Sequence, residues 1–115
     1  MSDYSEVLDL NLRIIRLIEL YRDSGDKGIL AEAFALLEPI TATEAYATIS
    51  RLGLRTYDEE DLVQEAWLKF VEVSSKFDSD RCPSFISFWR TSLRNHYIKY
   101  CKRELPNFDP TNDII

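Results

Sequence analysis

The stretch DEEDLVQEAWLKFVEVSSKF, residues 58–77, decides the fold class. Successive residues of a helix turn by about 100°. On that spacing Leu62, Val63, Ala66, Phe70, Val73 and Phe77 fall on one side and form a core face. The opposite side holds Asp61, Gln64, Glu65, Leu68 and Glu72. Asp58 has the chemistry of an N-cap, and Glu59, Glu60 and Asp61 suit the positive end of the helix dipole. Leu68 is an apolar residue inside an acidic face. One reading is a solvated face with a stray leucine, since single exposed leucines are common. The other is a partner surface, with an acidic rim around an apolar contact for a basic partner.

Downstream, the loop Asp78 to Cys82 leads to PSFISFWRTSLRNHYIKYCKR, residues 83–103. Pro83 suits the first turn of a helix reaching about Arg103. Phe85, Ile86, Trp89, Leu93, His96, Tyr97 and Tyr100 share one packed side. Arg90, Arg94, Lys99 and Lys102 lie on the other, with Thr91, Asn95 and Ile98 among them and Arg103 near the margin. An ordinary amphipathic helix explains Lys99, Lys102 and Arg103, because cations favour the last turn. It explains Arg90 and Arg94 less well. Cations beside polar and aromatic groups also suit a single nucleic-acid strand, gripping phosphates while rings stack on bases. His96 reads as a packed histidine and Trp67 as packing at the core edge.

Upstream, the pattern predicts three more helices and no strand. The first runs from about Ser5 to Arg22, with stripes Leu8, Leu12, Ile15, Ile18 and Leu10, Ile14, Leu17, Tyr21. Two stripes predict burial on more than one side. Ser24-Gly25-Asp26 ends it. The second spans about Lys27 to Glu38, with Ile29, Leu30, Ala33, Phe34 and Leu37 inward, and Pro39 ends or kinks it. Thr41-Ala42-Thr43-Glu44 has capping-box spacing. It predicts a third helix with Ala45, Tyr46, Ile49 and Leu52 inward, closed by Gly53. The expectation is an all-α bundle of about five helices: one domain over residues 1–104 and a mobile tail over 105–115, where Pro106 and Pro110 stop further helix.

The 115 residues carry a net charge of −6. Residues 1–75 hold 7 basic and 15 acidic side chains, a balance of −8, whereas 76–104 hold 7 basic and 3 acidic, a balance of +4. The basic end can attract phosphate locally, but the acidic bulk weakens steering at long range. Any nucleic-acid binding then needs a larger partner. No apolar run is long enough to span a bilayer and no secretory leader is visible, so no membrane association and a cytoplasmic setting are expected. Cys82 and Cys101 have no metal or redox spacing. One histidine, no phosphate loop and no nucleophile motif argue against an enzyme, and no cofactor is expected.

The ordered set Asp61-Leu62-Val63-Gln64-Glu65, Trp67-Leu68-Lys69, Lys76-Phe77-Asp78, Phe85-Ile86-Ser87-Phe88-Trp89, Arg94-Asn95 and Lys102-Arg103 resembles region 2 of bacterial sigma factors, in the small form used for extracytoplasmic-function regulons. The segment from Leu17 through Phe34, Leu37 and Pro39 matches more weakly. The resemblance covers about residues 14–104. It implies that Asp61, Gln64 and Glu65, with apolar help from Leu68 and Val71, contact the β′ clamp helices of RNA polymerase core. It also implies that Arg90, Arg94, Asn95, Lys99 and Lys102 face the single-stranded non-template −10 region of the promoter. Asp78, Ser79, Asp80, Arg81 and Ser84 would form the loop beside which a flipped base is held. Unstacking a base costs on the order of a few kcal/mol, offset by stacking and hydrogen bonding in the pocket.

Housekeeping sigma factors carry an aromatic pair where Thr91-Ser92 stands. The alternative class lacks it, as this chain does. The resemblance further implies a region-2-only initiation subunit, without the region 4 helix-turn-helix domain, as expected of a phage or mobile element. A separate helix-turn-helix protein would be its companion. The rival is a polymerase-binding transcription regulator, an antagonist or co-sigma, that keeps the clamp grip without melting the promoter. A helical interaction module with no polymerase role is a third reading.

Overall fold

Ser24-Gly25-Asp26 does end the first helix. Gly25 turns the chain with φ +71° and donates its N–H to the Tyr21 carbonyl at 2.7 Å. Asp26 then caps the next helix, its Oδ1 accepting from the Gly28 N–H at 2.8 Å. The computed structural model describes residues 3–53 and 58–104, without the side chains of residues 3–5, 52, 58, 59 and 104. These residues form α1 (Asp3–Ser24), α2 (Lys27–Leu36), α3 (Glu38–Leu52), α4 (Asp58–Lys76) and α5 (Phe85–Glu104). The fold is all-α, as expected. The predicted Asp58 cap, the inward Leu52 and the tail 105–115 lie outside what is described.

The second helix stops earlier than the sequence suggests and the third starts earlier. Only Leu37 separates α2 from α3, and Pro39 sits in the first turn of α3, where its missing N–H costs nothing. The capping box is therefore not used. Thr41 and Glu44 lie inside α3 and are buried, serving α5 instead. Gly53 closes α3 with φ +67° and an N–H bond to the Ile49 carbonyl.

α1 packs chiefly on α2 and reaches α5, while α3, α4 and α5 pack pairwise on one another. The core between them is aromatic. Phe70 of α4 meets Trp89 of α5 edge-on at 5.4 Å, Phe34 of α2 meets Trp67 at 5.2 Å, and Phe77 meets Phe85 at 4.9 Å. Such pairs contribute about 0.5–1.5 kcal/mol each beyond their buried area. Trp89 directs its Nε1–H to the Thr41 hydroxyl at 3.1 Å, so its polar edge is satisfied inside the core.

Four apolar expectations are corrected. Leu8 and Leu12 are exposed, because α1 meets neighbours on one side only. Tyr46 is 69% exposed and Val63 41% exposed, each lying at the edge of its helix's buried arc. Pro83 precedes α5 rather than starting it. Ser84 is the cap, its Oγ accepting from the Ser87 N–H at 3.2 Å.

Tyr97 is fully buried and donates its hydroxyl to the Leu62 carbonyl at 3.0 Å. Burial pushes this phenol well above its ordinary value, with the Glu44, Cys101 and Glu65 charges adding to the shift. The neutral form is thus held by the fold. Its contribution is complete below the unfolded value, about 10, and is lost as pH rises through the raised folded value. Above pH about 10 the unfolded chain releases this proton first, so stability falls by up to about 1.4 kcal/mol per pH unit. Tyr97→Phe should cost about 1 kcal/mol at pH 7 and flatten that alkaline slope. Urea unfolding at neutral and alkaline pH checks this; equal slopes in the two proteins would refute it.

Candidate functional site

Two exposed faces of opposite character stand on this frame. The first is the outer side of α4. Asp61 and Gln64 are exposed there, and Leu68 between them is 60% exposed. Glu72 continues the face but is engaged, with Lys76 at 3.3 Å and Lys69 at 3.4 Å. The Lys76 hydrogen bond, then Lys69, holds its carboxyl below the usual carboxylate range. Val71 is half-buried against the core. Glu65 is also half-buried, and its Oε1 lies 2.8 Å from Nε2 of His96. The packed histidine expected from the sequence therefore ties α5 to α4.

The second is the solvent-exposed part of α5, which carries Arg90, Asn95, Lys99 and Lys102. Arg90 and Lys99 lie about half a turn apart around the helix. The cations thus form two groups, Arg90 with Arg94 and Lys99 with Lys102, rather than one stripe. Arg94 differs from the rest. Its Nε and Nη2 donate to the two carboxylate oxygens of Glu44 at 2.8 and 3.0 Å. This bidentate pair raises the Arg94 pKa further, the Glu44 hydrogen bond being the largest cause. A helical stripe of polar residues on α3 is buried, with Thr41 and Glu44 receiving Trp89 and Arg94 of α5 and Thr48 donating its hydroxyl to the Glu44 carbonyl. The sequence signal for it is polar residues at spacing i, i+3, i+7, which the capping-box reading of Thr41 and Glu44 passed over.

The loop between the faces is knit by its own backbone. The Asp78 carbonyl accepts from the N–H groups of Arg81 and Cys82 at 3.1 and 3.0 Å. Asp78 Oδ1 accepts from the Asp80 N–H at 2.9 Å, and Arg81 lies 3.8 Å from the Asp78 carboxylate. Ser79 is half-buried, and the Ser84 hydroxyl is engaged with Ser87. Two residues of α1 that the sequence did not single out reach this region. Asn11 bonds Pro83 and Ile86, and Arg22 bonds Ser74 and Phe77.

Among the described residues no cluster of His, Cys, Asp or Glu could hold a metal ion, and no helix is long and apolar enough to cross a membrane. Comparison with curated proteins and with solved structures finds no match. The family model described as Sigma-70 region 2 matches residues 42–105, more than half of the chain, from α3 through the C-terminal end of α5. That family consists of transcription-factor domains of initiation, whose general partners are RNA polymerase core and promoter DNA. With its all-helical fold and its match across three packed helices, the chain belongs to the sigma-70 region 2 family.

Proposed function

We propose that this chain is a sigma-like initiation subunit. The outer face of α4 grips the β′ clamp helices of RNA polymerase core, and α5 with the 78–84 loop engages the non-template strand of the promoter −10 element. The observation that carries the reading is Leu68, 60% exposed beside Asp61 and Gln64 on a well-formed helix. An apolar contact inside an acidic rim suits a basic helical partner, with the charges setting approach and register. Asp61, Gln64 and Leu68 are the outer contacts. Glu65 and Val71 stand behind them, Glu65 held by His96. On α5 the strand-facing set is Arg90, Asn95, Lys99 and Lys102, with Arg94 offering the N–H groups that Glu44 does not take. Asp78, Ser79, Asp80, Arg81 and Ser84 line the loop beside the flipped base. Cations neutralise phosphates, and a base captured off the stack traps open DNA without covalent chemistry.

A photo-crosslinking residue placed at position 68 should label β′ in a complex with core polymerase. The same residue at position 46, exposed on α3, should not. Labelling from 46 but not from 68 would remove the proposed grip. The occupied fork of Arg94 favours a second reading, a regulator that keeps the clamp grip without melting. It predicts labelling from 68 but no retention of −10 single strand by the complex.

A further inference from the structure

The loop over residues 78–84 shapes itself but does not place itself. Its internal bonds run from Asp78 to Asp80, Arg81 and Cys82, and from Cys82 Sγ to the Ser84 carbonyl at 3.5 Å. None of these reaches the rest of the bundle. Ser84, the last loop residue, joins α5 through Ser87 and Phe88, and among the described residues the side-chain ties from elsewhere in the bundle come from α1, one on each side of the loop. On the upstream side Arg22 donates from Nε to the Ser74 carbonyl at 2.8 Å and from Nη2 to the Phe77 carbonyl. On the downstream side Asn11 donates from Nδ2 to the Pro83 carbonyl at 2.9 Å and accepts the Ile86 N–H on Oδ1 at 3.1 Å. A carbonyl can only accept and an N–H can only donate, so these two partners fix the orientation of the amide.

Eleven residues separate Asn11 from Arg22, about three helical turns and roughly 16 Å. The two side chains therefore project from the same side of one rod and span the loop between them. An ordinary capping role accounts for part of this. Arg22 satisfies carbonyls at the end of α4, and Asn11 satisfies an N–H in the first turn of α5. It does not account for Pro83, whose carbonyl lies before the α5 cap and belongs to the loop.

We infer that α1 is the brace that positions the 78–84 loop, with Asn11 and Arg22 as positioning residues at its two ends. This rests on the strand-engaging role proposed above. A loop held at both ends meets an unstacked base in one arrangement, without ordering itself at the moment of binding. α1 thus acts on the strand through the loop and touches no nucleotide.

Asn11→Asp separates positioning from capping. It keeps an acceptor for the Ile86 N–H, at a helix end that favours negative charge, but sets a carboxylate oxygen against the Pro83 carbonyl. Helix content and core capture should match the parent chain. In the isolated protein the amides of Arg81 and Cys82 should exchange with solvent about tenfold faster. In the complex with RNA polymerase core, single-stranded non-template −10 DNA should bind about tenfold more weakly. Arg22→Lys, which keeps the charge but loses the fork, should move the same two readings in the same direction. Unchanged exchange at Arg81 and Cys82 overturns the brace, and so does unchanged strand binding in the face of faster exchange. A parent complex that binds no strand overturns the strand-engaging role instead, and the exchange rates then decide the brace alone.

Discussion

Asp61→Lys combined with Leu68→Lys is expected to lower capture of RNA polymerase core by two orders of magnitude or more. Both side chains are exposed on α4, and neither has a partner among the described residues that the change would strand. Lysine is a good helix former, so the bundle should keep its helix content, while the loss of the Asp61 charge from the first turn of α4 costs about 0.3–1 kcal/mol of stability. At the interface the change replaces an attractive charge and an apolar contact with two cations facing a basic partner. Central contacts and close charge pairs each contribute about 2–5 kcal/mol, so losing one of each exceeds the roughly 2.7 kcal/mol that a hundredfold requires. Glu65 is left intact in this design. It is bonded to His96, and reversing its charge would disturb the α4–α5 contact as well as the surface. Binding of purified core by the two proteins, measured beside circular dichroism, checks the expectation. Equal capture by folded double variant and parent would place the grip elsewhere.

The second large effect concerns Arg94. Arg94→Ala should destabilise the fold by about 2–3 kcal/mol. The Glu44 side chain is 8% exposed and loses the cation it is paired with, while Arg94 itself is 54% exposed. Stripping one member from a fully buried pair costs about 3–5 kcal/mol, and water reaching Glu44 through the vacated space reduces that here. Glu44→Ala with Arg94→Ala removes the stranded carboxylate too. The double variant should recover about half of the loss, a coupling of at least about 1 kcal/mol. The same comparison sorts the two roles of Arg94 on α5. Where its main task is to hold α3, −10 strand binding by the complex falls in the single variant and recovers in the double. Where its main task is to hold phosphate, the double variant binds no better than the single. Urea unfolding and strand binding on the same three proteins decide between these outcomes.

These residues also mark how far the amino-acid sequence is legible on its own. α4 and the packed side of α5 were legible because Leu62, Ala66, Phe70, Val73, Phe77 and Phe85, Trp89, Leu93, Tyr97 repeat at helical spacing and are buried. Periodicity gives the direction of a buried face but not its width. Val63 and Leu12 sit near the margin, and whether a neighbour covers the margin depends on packing that the repeat does not contain. Thr41 and Glu44 misled for a related reason. Their spacing fits a capping box, yet the same spacing places both on the α3 side turned toward α5, where Trp89 and Arg94 claim them. Asn11 and Arg22 were invisible. Their partners lie between 52 and 75 residues away, and a polar residue in a helix gives no local sign of which distant backbone group it satisfies. The exposed set on α4 was readable as an anomaly, a leucine among acids. The engagement of Glu65 and Arg94 was not.

The central claim is that one helical unit holds RNA polymerase by an acidic face and promoter strand by a basic one. The most direct test is the affinity of the purified chain for purified bacterial RNA polymerase core, followed by retention of single-stranded non-template −10 DNA on the complex. Saturable binding that weakens with salt, as attraction between an acidic face and a basic partner requires, together with strand retention only when chain and core are both present, is the predicted result. No binding to core at any salt concentration, or strand retention by core alone equal to that of the complex, would contradict it.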